Sequence, residues 1–140
     1  NPILATASGA HGIHLGQTDI PVDEARHALS ATQIIGNSNN NMDEVVSSQT
    51  ASIDYLAVGA IYGTSTMDKS ERPTVGTEIL GKVKAITSKP VVAIGGIKLG
   101  NISEVVAAGA DCVCVVTAIT LAEDPEQAAR DFAKAIRNVK

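Results

Sequence analysis

The chain has 140 residues, 44% hydrophobic and 19% charged, which suits one soluble globular domain over residues 1–140 and excludes a disordered chain. Aromatic residues make up only 2%, so Ile, Val, Leu and Ala must build the core. A net charge of -4, with no basic run, argues against nucleic acid as a partner, and no apolar stretch has the length of a membrane span.

Taken in chain order, Ile3 to Ser8 reads as a helix tail closed by Gly9. Gly12-Ile13-His14-Leu15 is the first apolar run of strand character, followed by a helix opening at Pro21 with Val22, Ala25 and Leu29 on one face. A strand over Gln33-Ile34-Ile35-Gly36 leads into an Asn-rich loop, Asn37 to Asn41, and a helix with Met42, Val45, Val46 and Gln49 in phase. The strand Tyr55-Leu56-Ala57-Val58-Gly59 precedes a long loop from Gly63 to Val75, then a helix whose stripe is Ile79, Leu80, Val83 and Ile86. Val91-Val92-Ala93-Ile94-Gly95 is the fourth strand, followed by a helix capped by Asn101 that carries Ile102, Val105 and Val106. Cys112-Val113-Cys114-Val115-Val116 is the fifth strand. Asp124-Pro125-Glu126 opens a last helix with Ala129, Phe132, Ala133, Ile136 and Val139 inward.

Alternating strands and helices imply a parallel sheet with helices packed against it. The open doubly wound sheet and the (β/α)8 barrel share this pattern. No strand is followed by Gly-x-Gly-x-x-Gly, which weighs against the dinucleotide-binding form. A barrel needs eight strands and commonly ~250 residues. The expectation is an α/β chain of (β/α)8 TIM-barrel type holding about the last five β/α units.

Reacting groups in such barrels lie in the loops after the strands. Gly95-Gly96 and Val116-Thr117 follow the last two strands, where barrels often bind phosphate through backbone N–H groups; the simpler reading of Gly95-Gly96 is a tight strand exit. Thr64-Ser65-Thr66 with Lys69 offers hydroxyls and a cation for an oxyanion, or is a solvated loop. Asp19 could hold Mg2+ beside phosphate oxygens, or cap the helix at Pro21. His14 reads as a core or pocket-lining residue, while His11 and His27 read as surface positions. Cys112 and Cys114, on one strand face, read as small buried residues in a reducing, cytoplasmic setting.

The motifs resemble the thiamine-phosphate synthase family. They are His14-Leu15-Gly16-Gln17-x-Asp19, Ile35-Gly36-x-Ser38, Asp54-Tyr55-x-x-Val58-Gly59-x-Ile61-Tyr62-x-Thr64-x-Thr66, Val92-Ala93-Ile94-Gly95-Gly96-Ile97 with Asn101, and Gly109-Ala110-Asp111-x-x-x-Val115-Val116-Thr117-Ala118-Ile119. The resemblance implies a barrel enzyme, a transferase of alkyl groups in thiamine biosynthesis. It joins hydroxymethylpyrimidine diphosphate to hydroxyethylthiazole phosphate with Mg2+, releasing thiamine monophosphate and diphosphate. By position it implies Asp19 as the Mg2+ ligand and Ser38 as a contact to the pyrimidine diphosphate with a catalytic role. Thr64, Ser65, Thr66, Gly96, Val116 and Thr117 would hold the thiazole phosphate. Where the family has a lysine after Thr-x-Thr this sequence has Met67, and Lys69 could supply that charge as a second catalytic group. The implied partners are phosphorylated small molecules, with homo-oligomer formation left open and neither nucleic acid nor membrane involved.

The family's Gln-x-Arg-x-Lys segment and Asn-Asp pair belong to earlier strands. At ~25 residues per unit, about 75 residues are expected ahead of Asn1, and the chain alone is expected to be inactive. Two alternatives are a thiazole tautomerase, which would carry a histidine where Asn39 and Asn40 stand, and an inactive partial barrel completed by a partner.

Overall fold

The computed structural model describes residues 1–64 and 73–139. Its strands are β1 (Gly12–Leu15), β2 (Ile34–Asn39), β3 (Tyr55–Val58), β4 (Val91–Ile94) and β5 (Cys112–Cys114). The helices are α1 (Pro2–Ala7), α2 (Val22–Ala28), α3 (Met42–Ser48), α4 (Glu78–Lys84), α5 (Ile102–Ala107), α6 (Thr117–Thr120) and α7 (Pro125–Arg137). All neighbouring strands pair in parallel, and the sheet order is β1-β2-β3-β4-β5. A doubly wound sheet reverses direction at a switch point; this one never does. The order is that of consecutive units of a (β/α) barrel.

The period of two divides the sheet into unlike faces. Ile35, Leu56, Val58, Val91 and Ala93 are buried against Ala25, Val45, Leu80, Val83, Ile102 and Val105 of the helices. On the other face, His14, Ile34, Ile94 and Cys112 are exposed. Cys112 and Cys114 share that face as expected, but Cys112 is exposed and Cys114 half-buried.

Several boundaries differ from the sequence reading. β2 runs on through Asn37, Ser38 and Asn39 instead of ending at Gly36. Its two asparagines are buried and bonded: Ser48 Oγ at the end of α3 lies 2.7 Å from Asn39 Oδ1 and 3.1 Å from Asn37 Oδ1, its one proton shared between them. Asn37 Nδ2 donates to the Leu15 carbonyl, and Asn39 Nδ2 to the Asn37 carbonyl. Polarity mimicked a loop where side-chain pairing permits a buried strand. The β3, β4 and β5 ladders end before Gly59, Gly95 and Val115, respectively. Val46 and Ala129 face outward, because a helix of two to four turns offers the core a narrow stripe, while Ile86 and Val139 lie exposed beyond the ends of α4 and α7. On α7 it is Phe132 that is buried, with Ala135 and Ile136 against the core.

Two aspartates fasten the strand beginnings. Asp54 Oδ2 accepts from the Ile35 N–H at 2.7 Å and from Arg26 Nη2 at 2.6 Å, tying α2, β2 and the entry to β3. Asp111 Oδ2 does the same for the Val91 N–H and Lys84 Nζ, each at 2.8 Å. Partial burial works against the Asp54 charge, but the Ile35 N–H and the Arg26 and Lys89 charges outweigh it and hold its pKa below the ordinary 3.8. A lowered folded value means stability that is present above the unfolded value and lost as pH falls through the folded one. Asp54→Asn is therefore expected to be less stable than wild type at neutral pH and less sensitive to acid below pH ~4. Urea midpoints across that range check it, and parallel curves would refute it.

Candidate active site

The C-terminal ends of β2 to β5 surround a cavity of about 580 Å³. Each strand exit contributes, and local sequence explains each shape.

The β3 and β4 exits cross closely. Ile61 N–H donates to the Ile94 carbonyl at 2.9 Å and Tyr62 N–H to the Gly95 carbonyl at 3.0 Å. Gly95 and Gly96 have φ of 100° and 64°, left-handed backbone that side chains resist. A Cβ on Gly95 would lie 2.6 Å from Ala60 Cβ, and one on Gly96 2.6 Å from the Gly63 oxygen. The tight strand exit is thus real, and it also leaves bare backbone on the cavity wall. Asn101 stands at the start of α5 but does not cap it: its Oδ1 accepts from Lys98 N–H at 2.7 Å and its Nδ2 donates to the Gly96 carbonyl at 3.2 Å. The side chain braces the β4 loop instead.

The β5 exit carries Val116, Thr117 and Ala118 to the same wall, with α6 starting at Thr117 where a loop was expected. Among the described residues, the backbone N–H groups of Gly96, Ile97, Thr117 and Ala118 have no acceptor. Such groups on a cavity wall suit an anion. Lys98 lines the cavity too, a cation the sequence reading passed over. Its only signal was its place two residues beyond Gly95-Gly96.

The β3 loop is fastened on both flanks by α5. Glu104 accepts from Tyr62 Oη at 3.0 Å with one oxygen and from Thr77 Oγ1 at 2.9 Å with the other. Burial first, and then Glu104, raise the Tyr62 pKa, so the phenol keeps its proton. Thr64 lines the cavity between those anchors, whereas Ser65, Thr66, Met67 and Lys69 lie outside the described residues.

Ser38 reaches the cavity from β2, and its Oγ lies 2.8 Å from His14 Nε2. His14 Nδ1 lies 2.9 Å from Tyr55 Oη, and the two rings stack at 5.6 Å. Burial lowers the His14 pKa, and the charge of Asp19 offsets only part of that, so the ring is neutral at physiological pH. Asp19 is exposed at the β1 exit and is not on the wall of this cavity; its Oδ2 accepts from Gly16 N–H at 2.7 Å. The expected His11 and His27 are indeed exposed. Ser38, Thr64, Gly96, Val116 and Thr117 are therefore brought together, and Asp19 is set beside them through His14.

The family profile described as thiamine monophosphate synthase matches residues 2–119. This chain belongs to the thiamine monophosphate synthase family. Among its relatives, a thiamine-phosphate synthase of Natronomonas pharaonis is 44% identical over 97% of this chain and 64% of its own length. One from Methanoregula boonei is 41% identical over 98% of this chain and 63% of its own. The solved thiamine phosphate pyrophosphorylase from Pyrococcus furiosus superposes with a TM-score of 0.89 at 32% identity, covering 99% of this chain and 65% of that one. The chain thus spans just under two thirds of the length of these family members. Among the described residues no helix is long and apolar enough to cross a membrane.

Proposed function

We propose that this chain carries the phosphate-binding part of a thiamine-phosphate synthase site, for coupling hydroxymethylpyrimidine diphosphate to hydroxyethylthiazole phosphate. The observation that carries the proposal is the cavity at the strand ends, where backbone N–H groups without an acceptor among the described residues, Lys98, Thr64 and Ser38 surround one space. In this reading the C–O bond of the pyrimidine diphosphate breaks first, diphosphate leaves with the bonding pair, and the thiazole nitrogen captures the pyrimidine cation. The protein's share is to hold two anionic substrates in line and to meet the leaving charge with fixed donors. Ser38 serves the diphosphate. Gly96, Val116 and Thr117, with Thr64, Ser65 and Thr66, serve the thiazole phosphate, and Lys69 is assigned the charge missing at Met67. A cytoplasmic setting accords with the free thiols of Cys112 and Cys114.

Mg2+ fits Asp19 in one specific way. Among the described residues no three acidic, His or Cys side chains form a metal cluster, so a cage made of protein alone is not on offer. A single carboxylate is: Oδ2 is held by Gly16 N–H, and Oδ1 has no partner among the described residues. Mg2+ is commonly held by one or two carboxylates together with substrate phosphates and water. Bound there, the ion would supply positive charge to the departing diphosphate.

The test is a titration with inorganic diphosphate, with and without Mg2+. Binding is expected to require Mg2+, to vanish with EDTA, and to weaken by about tenfold or more in Asp19→Asn, a loss of ~1.4 kcal/mol. In parallel, thiamine monophosphate formation from the two substrates, measured on a full-length family member that carries this chain in place of its own matching part, should stop with EDTA. EDTA-indifferent turnover would overturn the metal-dependent reading and favour a proton-transfer enzyme.

A further inference from the structure

β1, β2 and β3 place His14, Gly36 and Tyr55 in one row across the sheet, His14 opposite Gly36 and Gly36 opposite Tyr55. Neighbouring strands are ~4.8 Å apart, so the two outer residues are separated by a whole strand. They meet because the middle position has no side chain. A Cβ on Gly36 would lie 1.9 Å from Tyr55 Cζ and 2.3 Å from Tyr55 Oη. Through this trough the Tyr55 hydroxyl reaches His14 Nδ1 at 2.9 Å, while His14 Nε2 reaches Ser38 Oγ at 2.8 Å.

We infer that Tyr55 is a positioning residue: it donates its hydroxyl proton to His14 Nδ1, so that His14 carries its proton on Nε2, donates it to Ser38 Oγ, and leaves the Ser38 proton for an anionic group in the cavity. The inference rests on the proposed diphosphate role of Ser38 and adds what sets the polarity of that hydroxyl.

Two polarities are chemically open, because tyrosine and serine hydroxyls each donate or accept and a neutral imidazole has one N–H. In the reverse polarity Ser38 would spend its proton on Nε2 and turn only lone pairs to the cavity. Unpaired N–H groups and Lys98 mark that cavity for an anion, which accepts hydrogen bonds and repels lone pairs. The reverse polarity would also leave the Tyr55 proton without an acceptor among the described residues. Burial, then the neighbouring Cys114 and Cys112, raise the Tyr55 pKa and keep that proton in place. The groups acting on His14 are thus Tyr55, Ser38 and the more distant Asp19.

The measurement is a nitrogen–proton correlation spectrum of the histidine rings in the full 15N-labelled chain at mildly alkaline pH, with His14 assigned by its loss in His14→Gln. The expected wild-type pattern is N–H on Nε2, with Nδ1 displaced from the position of a free imine nitrogen by an accepted hydrogen bond. In Tyr55→Phe, which keeps the ring in the trough, Nδ1 should move back toward the free position. Inorganic diphosphate with Mg2+ should bind that variant roughly two- to tenfold more weakly, the scale of one lost neutral hydrogen bond. An Nδ1–H ring in wild type, an Nδ1 signal unmoved by Tyr55→Phe, or unchanged diphosphate affinity in that variant would each overturn the inference. A wild type with the expected ring pattern that binds no diphosphate counts against the proposed function and leaves the Tyr55–His14 polarity standing.

Discussion

Gly96→Ala is expected to lower stability by ~2–4 kcal/mol and to weaken anion binding at the cavity. Two costs add. A side chain at φ of 64° sits in the left-handed region, worth about 1–2 kcal/mol by itself. The new Cβ would also lie 2.6 Å from the Gly63 oxygen and 2.7 Å from Tyr62 Cβ. Tyr62 is held twice, its N–H by the Gly95 carbonyl and its Oη by Glu104. The loop cannot yield without loosening the cavity wall. Two other glycines separate the costs. Gly9 has φ of 68° with nothing among the described residues within 4 Å of an added Cβ, so Gly9→Ala should show the strain alone, about 1–2 kcal/mol. Gly100 has open space and an ordinary φ, and Gly100→Ala should be near neutral. Urea unfolding of the three variants gives the ordering. Equal losses in Gly96→Ala and Gly9→Ala would show that the β3 and β4 loops part freely.

The second large effect is expected inside the layer between sheet and helices. Ser48→Ala should cost ~2–3 kcal/mol, since it removes the hydroxyl proton shared by Asn39 Oδ1 and Asn37 Oδ1 inside the sheet–helix layer. Asn39 is 1% exposed and Asn37 7%, so water cannot readily replace the lost partner. An unsatisfied buried acceptor bears its full desolvation penalty, of the order of 1–3 kcal/mol. Ser47→Ala is the matched control: its hydroxyl bonds the Asp43 carbonyl on an exposed helix face, and a change within about 0.5 kcal/mol is expected. Because Asn37 and Asn39 flank Ser38 on β2, Ser48→Ala should also weaken diphosphate binding. A variant as stable as Ser47→Ala would mean that the two asparagines repartner within the core.

Where residue type and geometry coincide, the chain was legible. β1 matches its expected bounds, and Pro2 to Ala7 forms the helix that Gly9 ends at φ of 68°. Gly95-Gly96 was readable because a left-handed pair at a strand exit leaves little choice but glycine. Misreadings came where a residue's ordinary habit was overridden by a distant partner. Asn37 to Asn39 resembled a loop until Ser48 from α3 satisfied them. Asn101 resembled a cap, yet its amide is taken by Gly96 and Lys98. Cys112 resembled a core residue, but it lies exposed on the sheet face opposite the one packed against the helices.

Local patterning by itself determined the alternation of strand and helix, most but not all of the stripe each helix turns inward, the glycine-bearing strand exits and, through ordered motifs, the family. These are matters of backbone preference and hydrophobic period, and neighbouring residues decide them. Only the tertiary structure decided that the sheet winds one way, that Lys98 joins the cavity while Asp19 stays off its wall, and that Tyr55 reaches His14. Those two rings are 41 residues apart in sequence. Their contact depends on strand register and on the space left by Gly36; the alternating pattern fixes which face a residue takes, but not which same-face residue of the next strand stands opposite it.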